Sequence, residues 1–78
     1  MQTPNAVAED IINIIYGIYY GKDKEAIQFR VHWGGANGAV DKIIRTIREK
    51  YGVEPKSNAY TLDKSEKSAI IALDTIQN

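Results

Sequence analysis

The sequence predicts a two-layer α+β domain with the element order α-β-α-β-β, in which an N-terminal helix precedes a split β-α-β unit. Three observations support this. Residues 4–20 and 37–51 have the apolar spacing of helices, residues 27–33 alternate between apolar and polar side chains, and residues 68–76 are apolar on both faces of an extended chain. A right-handed crossover makes the first two strands parallel. The third strand then returns between them, which gives the sheet order 1-3-2.

Residues 1–78 are predicted to form a single domain. A chain of this length buries only about 60 to 65% of its unfolded surface, so a partner or a second copy would add stability. The chain has no cysteine and one histidine, which excludes disulfides and metal sites built on cysteine or on histidine clusters. We therefore expect neither a metal nor a cofactor.

The first helix is predicted to begin at Thr3-Pro4, where the hydroxyl can cap an N–H group and proline occupies the first helical position. Gly21 is the predicted stop. A broad apolar arc covers most of this helix, and it includes tyrosines beyond the residues that one sheet would bury. We call the part of the arc beyond that face the tyrosine shoulder; it consists of Ile12, Tyr16, Tyr19 and Tyr20. Either the helix lies between two layers, or the tyrosine shoulder contacts another chain.

The first strand is predicted at residues 27–33, after the charged turn Lys22-Asp23-Lys24. One face carries Ile27, Phe29, Val31 and Trp33, and the other carries Gln28, Arg30 and His32. A strand with one polar face is typical of a sheet edge.

The second helix is predicted over residues 37–51, with a narrow apolar stripe that packs on the sheet. Gly52 provides a left-handed cap, and Pro55 prevents the helix from continuing. A hairpin is predicted to follow, with strands at 57–62 and 68–76 around a polar turn at 63–67. The last strand is the central one, because both of its faces are apolar.

The glycine-rich loop that leads into the second helix allows two interpretations. In one, glycines permit a tight turn. In the other, backbone N–H groups at a helix N-terminus bind an anion. The lysine and hydroxyl of a phosphate-binding P-loop are absent after the last glycine, since Ala39 and Val40 follow. The residues that would form the ligand site are Trp33, Gly34, Gly35, Asn37 and Gly38.

Ten basic and ten acidic residues are mixed along the chain, so the basic excess of a typical nucleic-acid-binding protein is missing. His32 alone offers an imidazole, and no catalytic set can be assembled around it. These observations predict a small non-enzymatic interaction module, an inhibitor or adaptor whose partner is another protein, a second copy of the chain in a homodimer or larger assembly, or both. The expected interface residues are Ile12, Tyr16, Tyr19, Tyr20, Gln28, Arg30 and His32.

The alternative function is binding of a phosphate-containing ligand, either a nucleotide or single-stranded nucleic acid, at the glycine-rich loop, where Trp33 would offer a stacking surface. The longest apolar run, residues 11–20, is about half of the roughly 20 residues that a bilayer requires. No membrane partner is therefore expected. We predict a cytoplasmic protein, and the excess of isoleucine over leucine hints at a bacterial, archaeal or phage origin.

Overall fold

The computed structural model describes residues 3–56 and 66–77, and within these ranges the chain is helical, without a strand. The predicted α+β fold and its sheet order 1-3-2 are therefore wrong. The four helices are α1 (Pro4–Tyr19), α2 (Lys24–Phe29), α3 (Ala39–Tyr51) and α4 (Glu66–Gln77). A π-helical segment, Arg30–Gly34, continues directly from α2.

Helix α1 begins as the sequence predicts. The Thr3 hydroxyl accepts a hydrogen bond from the backbone N–H of Ala6 at 3.1 Å, and Pro4 is the first helical residue. The helix ends at Tyr19, just before the predicted stop at Gly21. Helices α2, α3 and α4 all contact α1, which makes it the central helix of the described fold. Its broad apolar arc is explained by this position, because three other helices pack against it.

The predicted first strand is instead α2 and the π-helical segment. The Asp23 side chain caps α2 by accepting a hydrogen bond from the N–H of Ala26 at 2.8 Å. Phe29 is fully buried, whereas Ile27 and Val31 are 50% and 75% exposed. The apolar residues of this stretch therefore lie on two opposite sides of a helix and do not share one face of a strand.

Helix α3 confirms the predicted second helix, although it begins at Ala39, two residues after the predicted start. Its inner face buries Val40, Ile44 and Ile47 in the core. Gly52 has a φ of +65° and donates its N–H to the carbonyl oxygen of Arg48 at 2.9 Å, which is the left-handed cap expected there.

The predicted last strand, residues 68–76, is also helical, because it lies within α4. Ala69, Ala72 and Leu73 face the core from this helix. These positions are three and four residues apart, which is helical spacing. The other predicted hairpin strand, residues 57–62, and most of the turn that follows it lie outside the described residues.

The segment after α3 is tied back to α1. Asn13 is buried in α1, and its Oδ1 accepts a hydrogen bond from the backbone N–H of Lys56 at 2.6 Å. The Lys56 ammonium also pairs with the Glu9 carboxylate at 2.8 Å. A polar residue on the apolar side of α1 thus has a structural role, since it satisfies a backbone donor that would otherwise lie against the helix.

Candidate functional site

The glycine-rich loop joins the π-helical segment to α3 as a tight turn. Asn37 and Gly38 both have positive φ angles, 62° and 66°. The loop amides bond within the turn: Ala36 N–H donates to the Trp33 carbonyl at 3.3 Å, Gly38 N–H to the Gly34 carbonyl at 3.2 Å, and Ala39 N–H to the Ala36 carbonyl at 3.2 Å. These three donors are therefore not directed at a ligand.

The chain places its own carboxylate near the N-terminus of α3. Asp41 lies in the first turn of this helix, where a negative charge is stabilised by the helix dipole. The Tyr19 hydroxyl donates to Asp41 Oδ2 at 3.3 Å, and the Tyr20 hydroxyl donates to Oδ1 at 3.1 Å. A phosphate approaching this helix end would meet a negative charge that is already present.

The two tyrosine hydroxyls are held in their protonated form. Burial raises the pKa of Tyr19, and the negative charge and hydrogen bond of Asp41 raise it further. Burial also raises the pKa of Tyr20, with the same carboxylate as the next cause. Each of the two hydrogen bonds that join the end of α1 to Asp41 persists only while its own phenol retains its proton.

This arrangement predicts loss of stability at alkaline pH. In the unfolded chain these tyrosines ionise near pH ~10, whereas the native state retains their protons to higher pH. Above that pH the unfolded state binds fewer protons, so the free energy of unfolding is expected to fall as the pH rises. Urea denaturation at increasing pH measures this dependence. In an Asp41→Asn variant the fall should be shallower, and an identical fall in both proteins would contradict the assignment.

Residue 34 is a glycine at a position where the Tyr19 side chain approaches the backbone closely. A Cβ atom at residue 34 would lie 2.8 Å from the Tyr19 hydroxyl oxygen and 3.1 Å from its Cε1. The Tyr19 ring cannot easily move, because it is buried and hydrogen-bonded to Asp41. This glycine therefore serves packing between α1 and the π-helical segment.

Replacement of Gly34 by alanine is expected to lower the free energy of unfolding by about 1 to 2 kcal/mol through overpacking. Gly17 is the matched control, since it lies within α1 and a Cβ there would meet nothing within 4 Å. Gly17→Ala should stabilise the protein by about 0.5 to 1 kcal/mol, because alanine favours a helix. Urea denaturation measures both variants. Equal effects of the two substitutions would show that the Tyr19 contact is not tight.

The predicted tyrosine shoulder is mostly internal. Ile12 is fully buried and Tyr19 is 8% exposed, so neither offers a surface to a partner. Tyr16 is half-buried and its ring centroid lies 4.5 Å from that of Tyr20. Tyr20 is 49% exposed and is the member of the shoulder with substantial free surface.

The three polar residues predicted on the outer face of the strand are separated by the helix. Gln28 and His32 are exposed, one turn apart. Arg30 points the other way, and its Nη1 donates to the carbonyl oxygens of Tyr19 and Gly21. Arg30 therefore caps the C-terminal end of α1 and is not part of an exposed surface with Gln28 and His32.

Trp33 does not extend freely from the loop. It is half-buried, its ring centroid lies 6.3 Å from that of Phe29, and the His32 ring packs edge-on against it at 5.0 Å. Its Nε1 is buried without an acceptor among the described residues. The indole is thus directed largely towards the protein.

The sequence interpretation missed an exposed apolar pair, which we call the α2 ridge. It consists of Ile27 in α2 and Val31 in the π-helical segment, 50% and 75% exposed and one helical turn apart. Gln28 and His32 flank this pair on the same exposed side. The signal in the sequence was the spacing of four residues between two β-branched side chains, which becomes informative once the stretch is known to be a helix.

A second candidate is a groove at the other end of the bundle, with a volume of about 610 Å³. It lies between the first half of α1, the second half of α3 and the end of α4. Its apolar lining residues are Pro4, Val7, Ala8, Ile11, Ile47, Tyr51 and Ile76. Its polar lining residues within the described ranges are Thr46, Lys50 and Thr75, and Lys50 is the charged one among these three.

No family model matches this chain, and neither the curated proteins nor the solved structures include a significantly similar one. The described residues contain no group of three or more side chains suited to hold a metal ion. No helix in the described ranges is long and apolar enough to cross a membrane.

Proposed function

We propose that this protein is a small interaction module of the adaptor or inhibitor kind, which self-associates through the α2 ridge. The observation that carries the proposal is the exposure of Val31, at 75%, beside Ile27, at 50%. Two large aliphatic side chains on adjacent turns leave apolar surface in water that a partner would cover.

The surroundings of the ridge resemble the organisation of a protein interface, with apolar residues at the centre and polar ones at the edge. Gln28 and His32 supply hydrogen-bonding groups beside the aliphatic pair. On the opposite side of the same helix Phe29 is fully buried. The ridge is therefore fixed to the core before binding, which lowers the ordering cost of association.

A second copy is the partner that the ridge fits most simply. Two α2 ridges related by a two-fold axis would bury Ile27 and Val31 of one chain against the same residues of the other. The pair covers only one to two helical turns, so the contact alone falls short of the roughly 800 Å² per partner of a stable interface. We therefore expect a concentration-dependent dimer.

Light scattering after size exclusion, over a range of protein concentrations, tests this proposal. The mass is expected to rise from the 8.7 kDa of the monomer towards twice that value. Val31→Asp should hold the protein at the monomer mass, because it places a charge in the centre of the contact. Ile71→Asp is the matched control, since Ile71 is 58% exposed on α4, outside the ridge. A wild-type monomer throughout, or equal effects of both variants, would overturn the proposal.

The alternative function, binding of a phosphate-containing ligand at residues 33–38, is less favoured by the geometry. Three loop amides are bonded internally, and the Asp41 carboxylate lies at the start of the following helix. Trp33 fluorescence should therefore stay unchanged when inorganic phosphate or ATP is added. A saturable change with either ligand would favour the alternative.

A further inference from the structure

We propose that the groove between α1, α3 and α4 is a binding site for a medium-chain aliphatic carboxylate, held by its chain on the apolar walls and by its head group at Lys50. This site does not depend on the proposed self-association. Four residues in the first half of α1 line the groove, namely Pro4, Val7, Ala8 and Ile11. The carbonyl oxygen of Tyr19, at the other end of the same helix, accepts a hydrogen bond from the Arg30 guanidinium. The groove and the α2 ridge are therefore separate surfaces.

The hydrogen-bonding groups of the groove restrict the ligand. The Thr46 hydroxyl donates to the Lys42 carbonyl at 2.8 Å, and the Thr75 hydroxyl donates to the Ile71 carbonyl at 2.9 Å. Both threonine protons are thus used within their own helices. Among the lining residues that the structure describes, the Lys50 ammonium, 5.5 Å from the centroid of the Tyr51 ring, remains as the one charged group.

Apolar walls with one positively charged side chain match a ligand that has an aliphatic tail and one anionic head group. An extended peptide fits poorly, because its backbone N–H and C=O groups would lie against apolar walls without partners. A cation would be repelled by Lys50. The volume of about 610 Å³ falls within the range of roughly 300 to 1,000 Å³ that is typical of small-molecule sites. The half-exposed walls, among them Val7 at 38%, would lose contact with water on binding.

The first experiment titrates the full chain with decanoate below its micelle concentration and follows the isoleucine and valine methyl signals by NMR. Saturable shifts are expected for groove residues such as Val7 and Ile11. Hexanoate should bind between about ten-fold and about 250-fold more weakly, since it lacks four methylenes and each fully buried methylene contributes about a four-fold factor. Nonyltrimethylammonium, which has the same nine-carbon tail as decanoate and the opposite charge, should bind more weakly than decanoate. Equal binding of these two compounds, or no saturable shift with decanoate, would overturn the proposal.

Two charge variants test the role assigned to Lys50. Lys50→Met keeps an unbranched side chain and removes the charge, so the affinity for decanoate should fall about three-fold while that for decanol is unchanged. Arg45→Met is the matched control, because it removes a positive charge from an exposed position of α3 that does not line the groove. Equal losses in both variants would show a general charge effect and would contradict a contact at Lys50.

The location of the ligand is tested by filling the groove. Thr46→Trp places a large ring over the apolar walls from an exposed position and should abolish binding of both decanoate and decanol. Val7→Trp does the same from α1, in case the first variant does not fold. If a folded variant bound decanoate as tightly as the wild type, decanoate would not bind in this groove and the proposal would be wrong. If these variants instead lower the mass measured by light scattering from that of a dimer to that of the monomer, a second copy of the chain occupies the groove. That result would contradict the carboxylate proposal.

Discussion

Replacing Phe29 with alanine is expected to lower the free energy of unfolding of this domain by about 3 to 5 kcal/mol. Phe29 is fully buried, and its ring centroid lies 6.2 Å from that of Tyr19 in an edge-on arrangement and 6.3 Å from that of Trp33. Truncating a buried phenylalanine costs about 3 to 5 kcal/mol, because the apolar contacts are lost and a cavity remains. A domain of 78 residues has a total stability of roughly 4 to 12 kcal/mol, so the variant should lose between about a quarter and all of it.

The matched control for this prediction is Val31→Ala. Val31 is 75% exposed, and the free energy of unfolding should therefore change by less than about 0.5 kcal/mol. Urea denaturation followed by circular dichroism compares the two variants. If residues 27–33 formed a strand, Phe29 and Val31 would share a face and both substitutions would be costly. Similar losses in both variants would contradict the helix described here.

The alternation at residues 27–33 could not distinguish a strand from this helix. In a helix, Ile27 and Val31 lie one turn apart on one side, and Phe29 and Trp33 lie one turn apart on the other. Apolar residues at every second position thus describe either one face of a strand or two opposite sides of a helix. The sequence did contain a local signal in favour of the helix, namely Asp23 three residues before Ala26, which is the spacing of an N-terminal cap.

The error at the C-terminal end has a related cause. Ile70 and Ile71 made residues 68–76 look apolar on both faces of a strand. The residues that enter the core are Ala69, Ala72 and Leu73, at helical spacing, and Ile71 is 58% exposed. The helical spacing of the buried residues was not recognised, because Ile71 is apolar although it is exposed. Residue types alone do not show which apolar residues are buried.

Helices α1 and α3 were predictable because their ends carry specific local chemistry. Thr3-Pro4 marks the start of α1, where the threonine hydroxyl caps a backbone N–H group. Gly52 ends α3, where it adopts the left-handed conformation of a C-terminal cap. The partners of α1 were not predictable in the same way. A broad apolar arc requires several neighbours, but the identity of those neighbours depends on contacts that are distant in sequence.

The candidate site was predicted only in part. Gln28 and His32 are exposed as expected, but the apolar pair beside them was assigned to a buried face. The groove was not foreseen, since it is formed by three helices that are far apart in the sequence. Such a surface follows from the packing of whole helices, and no local motif indicates it.

Replacement of Arg30 by alanine is expected to lower the free energy of unfolding by about 2 to 4 kcal/mol. The guanidinium of Arg30 donates to the carbonyl oxygens of Tyr19 and Gly21, the latter at 2.8 Å. Hydrogen bonds from charged groups contribute about 1.5 to 3 kcal/mol each, and the cation also lies at the negative end of the α1 dipole. The expected loss is smaller than the sum of two such bonds, because Arg30 is only half-buried and water can reach the carbonyl groups in the variant. Two carbonyl groups lose their donor in the variant. Urea denaturation measures the loss.

Arg30→Lys separates the hydrogen-bonding geometry from the charge. Lysine keeps the positive charge at the end of α1 but has no planar guanidinium to reach two carbonyl groups, so we expect it to recover less than half of the lost stability. Arg45→Ala controls for the loss of an exposed arginine on α3 and should change the free energy of unfolding by less than about 0.5 kcal/mol. If Arg30 instead contacted a partner, Arg30→Ala would weaken self-association in light scattering while leaving the urea midpoint of the dilute monomer unchanged. That result would return Arg30 to the interface that the sequence alone predicted for it.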